Sequence, residues 1–238
     1  MKPSDFRVLS FDCYGTLIDW ESGILTALAP LRARTGPTLD DAAILAAFAA
    51  HESAQQAETP AMPYAALLAV VYGRLAREWG AREDERENER FGVSIGDWPA
   101  FPDTVAALRT LAQRHRLVIL SNVDRDSFRA TNQRLGVTFD AIYTAQDIGS
   151  YKPDPRNFRY LLERLKADGF EKSDLLHVAQ SLFHDHVPAN AQGIASAWID
   201  RRGDAERNGG IGWGATAPPP PDVRYDFRFR TLAELTAA

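Results

Sequence analysis

Asp12 is the first residue of this chain placed to do chemistry. It ends the apolar run Arg7-Val8-Leu9-Ser10-Phe11 and opens Cys13-Tyr14-Gly15-Thr16. That pattern suits a buried strand that stops in a turn and presents a carboxylate there. The bland alternative is a turn-forming or helix-capping aspartate. Later segments repeat the arrangement. Ser121-Asn122 follows Leu117–Leu120, Gln180-Ser181 follows Leu175–Ala179 with Asp185 just beyond, and Lys152 sits in a loop-like Tyr151-Lys152-Pro153. His184-Asp185-His186, with His177 nearby, invites a metal reading. However, residues at i and i+2 do not share a helix face, and no cysteine or further acid supports the cluster. We expect no metal there; a histidine that hydrogen-bonds near the site or packs in the core is the better reading. Cys13 reads as a small buried residue, and Gly15 as relief of backbone crowding in the turn.

The elements that must hold these groups alternate. Strands are expected at 7–11, 117–120, 141–143, 175–179 and 195–199, with a short closing strand near Tyr225-Asp226-Phe227. Helices are expected over 126–135 and 155–168, and from an Asp103 cap to about Arg114. Such alternation implies a parallel α/β sheet with helices on both faces, whose ligands bind beyond the carboxyl ends of the strands. Asp12, Ser121-Asn122 and Gln180-Ser181 all fall there. From about Glu21 to Phe91 the texture changes to alanine, leucine and charge, with helical periodicity at Tyr64, Leu67, Leu68, Val71 and Leu75 and no convincing strand. Residues 1–19 and 99–238 are therefore assigned to an α/β core and 20–98 to an inserted helical cap. Gly203 to Asp222, with four prolines from Pro218, reads as a surface loop.

Bulk properties narrow the partners. The 238 residues are 45% hydrophobic and 25% charged, with a net charge of −5. This balance argues against nucleic acid as a partner, because phosphate binding needs a basic field. No apolar run approaches the roughly 20 residues that span a bilayer, so no membrane partner is expected. The N-terminus lacks the apolar stretch of a secretory signal, and the single cysteine suits a reducing cytoplasm.

Taken together, Phe11-Asp12-Cys13-Tyr14-Gly15-Thr16-Leu17, Leu120-Ser121-Asn122, Tyr151-Lys152-Pro153 and Ala179-Gln180-Ser181 with Asp185 resemble, in order, the four motifs of the haloacid dehalogenase superfamily. The resemblance implies a Rossmann-like core with a helical cap and a nucleophilic Asp12. Lys152 then supplies the positive group that an anionic nucleophile and a substrate carboxylate require. Thr16, Ser121 and Asn122 are expected to donate hydrogen bonds to nucleophile or substrate. Asp185 is expected to orient Lys152 or to act as base for water.

Phosphatases of this fold carry a second aspartate two residues after the nucleophile and an acid in the fourth motif that holds Mg²⁺. Here those positions are Tyr14 and Gln180. Losing a ligand and the general acid together removes two supports of phosphoryl transfer. Tyr14 resembles the type II L-2-haloacid dehalogenases, which need no metal or other cofactor. The expected reaction is displacement at C2 of a small carboxylate, giving an ester on Asp12 that water hydrolyses.

Two departures from those dehalogenases leave the leaving group open. No arginine for a halide occurs in Phe48–Gln56, which offers His51, Glu52 and glutamines, and Phe158 stands where they have tyrosine. A carboxylate at Glu52 suits a cationic nitrogen better than an anion. In this the chain also resembles azetidine-2-carboxylate hydrolases, through residues 11–20, Asn157-Phe158 and 184–186. Tyr14, Trp20, Glu52, Ser181 and His184 are the expected substrate-binding residues, with Trp98 as a further cap or hinge contact. The bland reading of Glu52 is a solvent-facing helix charge. Dimers are common among similar enzymes, so a homodimer is one expectation, with no interface legible. Two other readings compete. One is a phosphatase with an altered acid, and the other is a silent binding module. The second sits badly with keeping Asp12, Lys152 and Asp185 together, since burying three charges has no evident structural benefit.

Overall fold

The structure is a computed structural model, and it describes residues 1–35, 40–203 and 218–238. Six strands form one parallel sheet: β1 (Val8–Phe11), β2 (Arg116–Ser121), β3 (Ala141–Thr144), β4 (Leu175–Ala179), β5 (Ala195–Ile199) and β6 (Phe227–Phe229), in the order β3-β2-β1-β4-β5-β6. β1 lies between β2 and β4 with Phe11 level with Ile119 and Val178. β1 and β4 are buried throughout and β2 nearly so, which explains their continuous apolar runs in place of alternation. The closing strand lies two residues later than expected. Asp226 already bonds both ways with the Ser196 backbone, and the ladder begins at Phe227.

Helices cover both faces. Phe158, Leu161 and Leu165 of α8 (Arg156–Ala167) and Ala189 of α9 (Val187–Ala191) pack with Val8, Val118, Leu120 and Leu175. The other face is continuous with the apolar sides of the remaining helices. α5 runs over Thr104–Leu111, but Asp103 does not cap it with its side chain. That carboxylate instead accepts from the backbone N–H groups of Leu232 and Ala233, which open α10 (Leu232–Thr236), and pairs with Arg201 at 2.8 Å. The tertiary partner competes with the local one and wins.

Between β1 and α5 come α1 (Trp20–Thr35), α2 (Asp41–Glu58), α3 (Tyr64–Glu78) and α4 (Glu85–Val93). The chain leaves and re-enters this block side by side. Asp19 N donates to Pro99 O at 2.8 Å and Phe101 N to Leu17 O at 3.1 Å. Two bonds fix α3 over the strand ends. Ala65 N donates to the buried Asp124 carboxylate at the start of α6 (Arg125–Leu135), and Tyr151 Oη donates to Met62 O. α7 is the single turn Ala145–Ile148. No helix among the described residues is long and apolar enough to cross a membrane. The proline-rich loop read over 203–222 falls partly outside the described residues, which resume at Pro218.

Candidate active site

β1 carries Asp12 to the carboxyl edge of the sheet, where the turn that follows is set by Gly15 at φ +90°. A Cβ there would meet Gln180 Oε1 at 3.1 Å and Trp20 Nε1 at 3.2 Å, so the turn needs glycine for both conformation and space. The Asp12 carboxylate accepts from Lys152 Nζ at 2.9 Å on one oxygen and from Thr16 Oγ1 at 2.8 Å on the other. Thr16 is aimed by its neighbour, since Gln180 N donates to the same Oγ1 and leaves its hydroxyl proton for Asp12. Lys152 Nζ also donates to Asp185 Oδ1 at 2.6 Å and to Leu120 O at 2.9 Å. An ammonium thus bridges two carboxylates, and all three groups are buried.

Burial raises the Asp12 carboxyl above its ordinary range, as does the Asp185 charge, while Lys152 and Thr16 pull it back. Burial also pushes Asp185 upward, but Lys152 and His177 overcome it and hold that carboxyl well below the usual range. Burial works against the Lys152 charge, and the two carboxylates more than compensate, raising the ammonium's pKa. The Cys13 thiol is pushed well up by burial and by Asp12, which fits an inert packing residue.

Neither Asn122 nor Ser121 donates to Asp12. Both ends of the Asn122 amide are occupied by Lys152. Nδ2 donates to Lys152 O at 3.0 Å, and Oδ1 accepts from Lys152 N at 2.7 Å. It braces the lysine loop instead of donating to Asp12. Ser121 is still within β2, level with Thr144, and its buried Oγ has no protein partner.

Asp12, Lys152, Asp185 and Asn122 line one side of a small cavity of about 50 Å³. Tyr14, Gln180, Ser181 and His184 line it from the core loops, and Trp20, Glu52, Gln56 and Tyr64 from α1, α2 and α3. The Tyr14 hydroxyl points away to Thr131 at 2.7 Å, and burial raises it far above its ordinary range. Trp98 packs edge-on against Tyr14 at 5.7 Å and does not itself line this cavity. Ser181 Oγ accepts from His184 N and pairs with its ring, fixing the π turn Leu182–His186. Burial lowers the His184 imidazole to about 4, so it is neutral at physiological pH. His186 is buried against Ser196 and Ala179 O. Among the described residues, no three of His, Cys, Asp and Glu converge as a metal cluster.

Glu52 is not a solvent-facing charge. It is buried at 5% exposure, its Oε1 accepts from Tyr64 Oη at 2.5 Å, and no cation among the described residues pairs with it. Burial lifts its carboxyl to about 7, against the Tyr64 hydrogen bond, which lowers it. His51, one residue earlier, turns to Glu78 instead. Among the described residues no arginine lines the cavity. The sequence places Gln180 at the ligand-binding edge of the sheet but does not single out Tyr64 or Gln56 as lining residues. In the sequence Tyr64 stands out only as part of a helical stripe, because no local pattern links it to Glu52 twelve residues earlier.

The profile of the haloacid dehalogenase-like hydrolases matches residues 6–179, which spans β1 to the end of β4 and every residue of the charged cluster except Asp185. This chain belongs to that family. The hydrolase is 28% identical to the (S)-2-haloacid dehalogenase of Pseudomonas putida over 129 residues, covering 53% of this chain and 55% of that enzyme. It thus spans about half the length of the curated relatives it matches. Its fold is that of the L-2-haloacid dehalogenase from Xanthobacter autotrophicus with chloropropionic acid covalently bound (TM-score 0.80, 19% identity, 98% and 97% of the two chains). The fold is equally that of the HAD-hydrolase YfnB from Bacillus subtilis bound to magnesium (TM-score 0.75, 19% identity, 98% and 97%). The same fold is thus found in a dehalogenase and in a magnesium-bound hydrolase, so the fold by itself does not choose the chemistry.

Proposed function

We propose that this hydrolase displaces a leaving group from C2 of a small carboxylate through an ester on Asp12, without a metal ion. The carrying observation is the Asp12 carboxylate held by Lys152 and Thr16 while the residue two positions on is a tyrosine tied to Thr131. A phenol held well above its ordinary range and bonded away from the cavity is no general acid for a phosphate ester. Magnesium is a poor fit to these donors. It demands near-octahedral oxygen ligands and favours charged ones. Here the ammonium of Lys152 stands between the two carboxylates, and position 180 offers only a neutral amide.

In the first step an Asp12 oxygen bonds to C2 and the C2–leaving-group bond breaks with its electron pair. In the second, water attacks Cγ of Asp12, so C2 is inverted once and the product is a 2-hydroxy acid. Lys152 stabilises the nucleophile and the substrate carboxylate. A relative holding chloropropionic acid covalently supports such an intermediate.

For the leaving group, Glu52 favours a nitrogen over a halide. A buried carboxyl without a cationic partner repels an anion and ionises readily beside an ammonium. In L-azetidine-2-carboxylate the ring nitrogen arrives as an ammonium held by Glu52. The electron pair of the broken C2–N bond goes to that nitrogen, giving 4-amino-2-hydroxybutyrate. The 2-haloacid reading is supported by the motif resemblance with Tyr14 and by the similarity to (S)-2-haloacid dehalogenases.

The test incubates EDTA-treated enzyme with L-azetidine-2-carboxylate and, separately, L-2-chloropropionate, with Asp12→Asn as blank. Metal-independent 4-amino-2-hydroxybutyrate is the expected product. Chloride release alone reverses the choice of leaving group. Phosphate release from an ester only after Mg²⁺ addition, with neither carboxylate turned over, overturns the carbon-centred reading.

A further inference from the structure

In the sequence His177 is one histidine of a loose cluster. In the structure it joins β1 to the charged centre. Ser10 and His177 are ladder neighbours on β1 and β4, and Ser10 Oγ lies 2.8 Å from His177 Nδ1. His177 Nε2 lies 3.0 Å from Asp185 Oδ1, the oxygen that also accepts from Lys152. Neither Ser10 nor His177 lines the cavity, and both are fully buried. An ionised carboxylate only accepts, so Nε2 carries the proton and Nδ1 accepts from the Ser10 hydroxyl. The Phe158 ring packs edge-on against the imidazole at 4.9 Å and fixes its plane.

Two donors therefore converge on Oδ1 of Asp185. Its Oδ2 is buried, has no protein partner, and belongs to a residue that lines the cavity. The bland account is a satisfied core histidine. Under that account, two apolar residues would fill the β1–β4 junction with less desolvation than a hydroxyl and an imidazole. What the polar pair adds is a fixed carboxylate plane.

We propose that Ser10 and His177 are positioning residues that pin Asp185 through Oδ1 and so reserve Oδ2 as the base for the water that hydrolyses the Asp12 ester. The proposal rests on the covalent reading above. As the water oxygen bonds to Asp12 Cγ, its proton moves to Asp185 Oδ2. Collapse of the tetrahedral adduct breaks the bond between Cγ and the substrate oxygen, and the departing 2-alkoxide takes the proton from Asp185. Asp12 is left as the carboxylic acid carrying the second water proton and releases it to solvent, or to the product amine after ring opening, so both carboxylates are regenerated. Ester formation needs Asp12 and Lys152 but no water, so His177 should matter to the second half-reaction only.

The experiment is rapid-quench mass spectrometry of the Asp12 ester in wild type, His177→Leu, His177→Gln and Ser10→Ala, with L-azetidine-2-carboxylate and L-2-chloropropionate as probes. His177→Leu should form the ester at close to the wild-type rate and hydrolyse it about 100-fold more slowly, accumulating nearly one equivalent. His177→Gln, which keeps an N–H donor, should recover most of that loss. Ser10→Ala should slow the same step by about 3- to 10-fold and serves if the leucine variant fails to fold. Equal slowing of both half-reactions, or of neither, in variants with native circular dichroism would overturn the proposal while leaving the covalent reading intact. If wild type turns over substrate without Asp12 ever carrying an ester, the covalent reading falls and this proposal with it.

Discussion

The two walls of the cavity handle buried charge in opposite ways. On the sheet side, Asp12, Lys152 and Asp185 form a closed set in which an ammonium serves two carboxylates and Thr16, Asn122 and His177 hold the parts in register. On the helical side, Glu52 of α2 has one neutral partner, Tyr64 of α3. The first wall comes from strand ends fixed by the ladder, and its charges are settled before any substrate arrives. The second comes from two helices, and its carboxyl sits near neutrality at about 7, poised to change state with what it touches. A preorganised wall suits a reaction centre, and a responsive wall suits selection of the leaving group.

The sharpest way to break the sheet-side wall is at its nucleophile. Asp12→Asn keeps shape and removes the attacking charge, so turnover should fall by about 10⁴-fold or more. Folding should survive, because Lys152 keeps Asp185. Steady-state rates together with urea unfolding check both statements. Lys152→Met is worse for the fold, since it leaves two buried carboxylates facing one cavity. We expect a loss of about 3–5 kcal/mol in stability and of about 10²- to 10³-fold in rate. A stable, active Lys152→Met would mean that the two carboxylates are not both charged.

Glu52→Gln tests the other wall. Ring opening of L-azetidine-2-carboxylate should fall by about 10- to 100-fold in kcat/KM, while any chloride release from L-2-chloropropionate should hold or improve. In wild type, kcat/KM for the ring should rise as pH climbs through about 7, where free Glu52 ionises, and Glu52→Gln should flatten that limb. Stability runs the opposite way. Folding raises the Glu52 carboxyl from 4.5 to about 7, so its contribution is complete below 4.5 and fades as pH rises toward 7. Wild type measured against Glu52→Gln should lose about 3 kcal/mol across that window. A pH-independent difference would place Glu52 in contact with water. Tyr64→Phe should act in the same place and less strongly. Removing the one donor lifts Glu52 further, which moves the kinetic limb to higher pH.

The same contrast explains what could be read from the chain alone. The nucleophile turn, the lysine loop and the strand ends were legible because each is a local pattern, a buried run stopped by a polar turn. Helices α1 to α4 were legible as texture but not as a wall, since whether Glu52 faces solvent depends on how α2 meets α3. Asn122 bracing Lys152, thirty residues away, and Asp103 capping α10, 129 residues away, are tertiary choices made among several equally good local options. Ser10 carried no signal at all, because a serine inside an apolar strand gains meaning only when the partner strand places His177 beside it.

The mildest substitution bears on the choice between carbon and phosphorus. Tyr14→Phe removes the hydroxyl bonded to Thr131 and leaves the Thr131 oxygen buried without its partner, for a loss of about 1–2 kcal/mol in stability. The ring would keep its edge-on packing against Trp98 at 5.7 Å and its place in the cavity wall. If Tyr14 lines the site with its ring alone, kcat should change by less than about threefold, within the ordinary effect of a small relaxation. A fall as deep as that from Asp12→Asn would show that the phenol moves a proton in the reaction. The tyrosine would then fill the acid's position in function as well as in sequence, and the phosphate reading would regain the support its side chains now deny it.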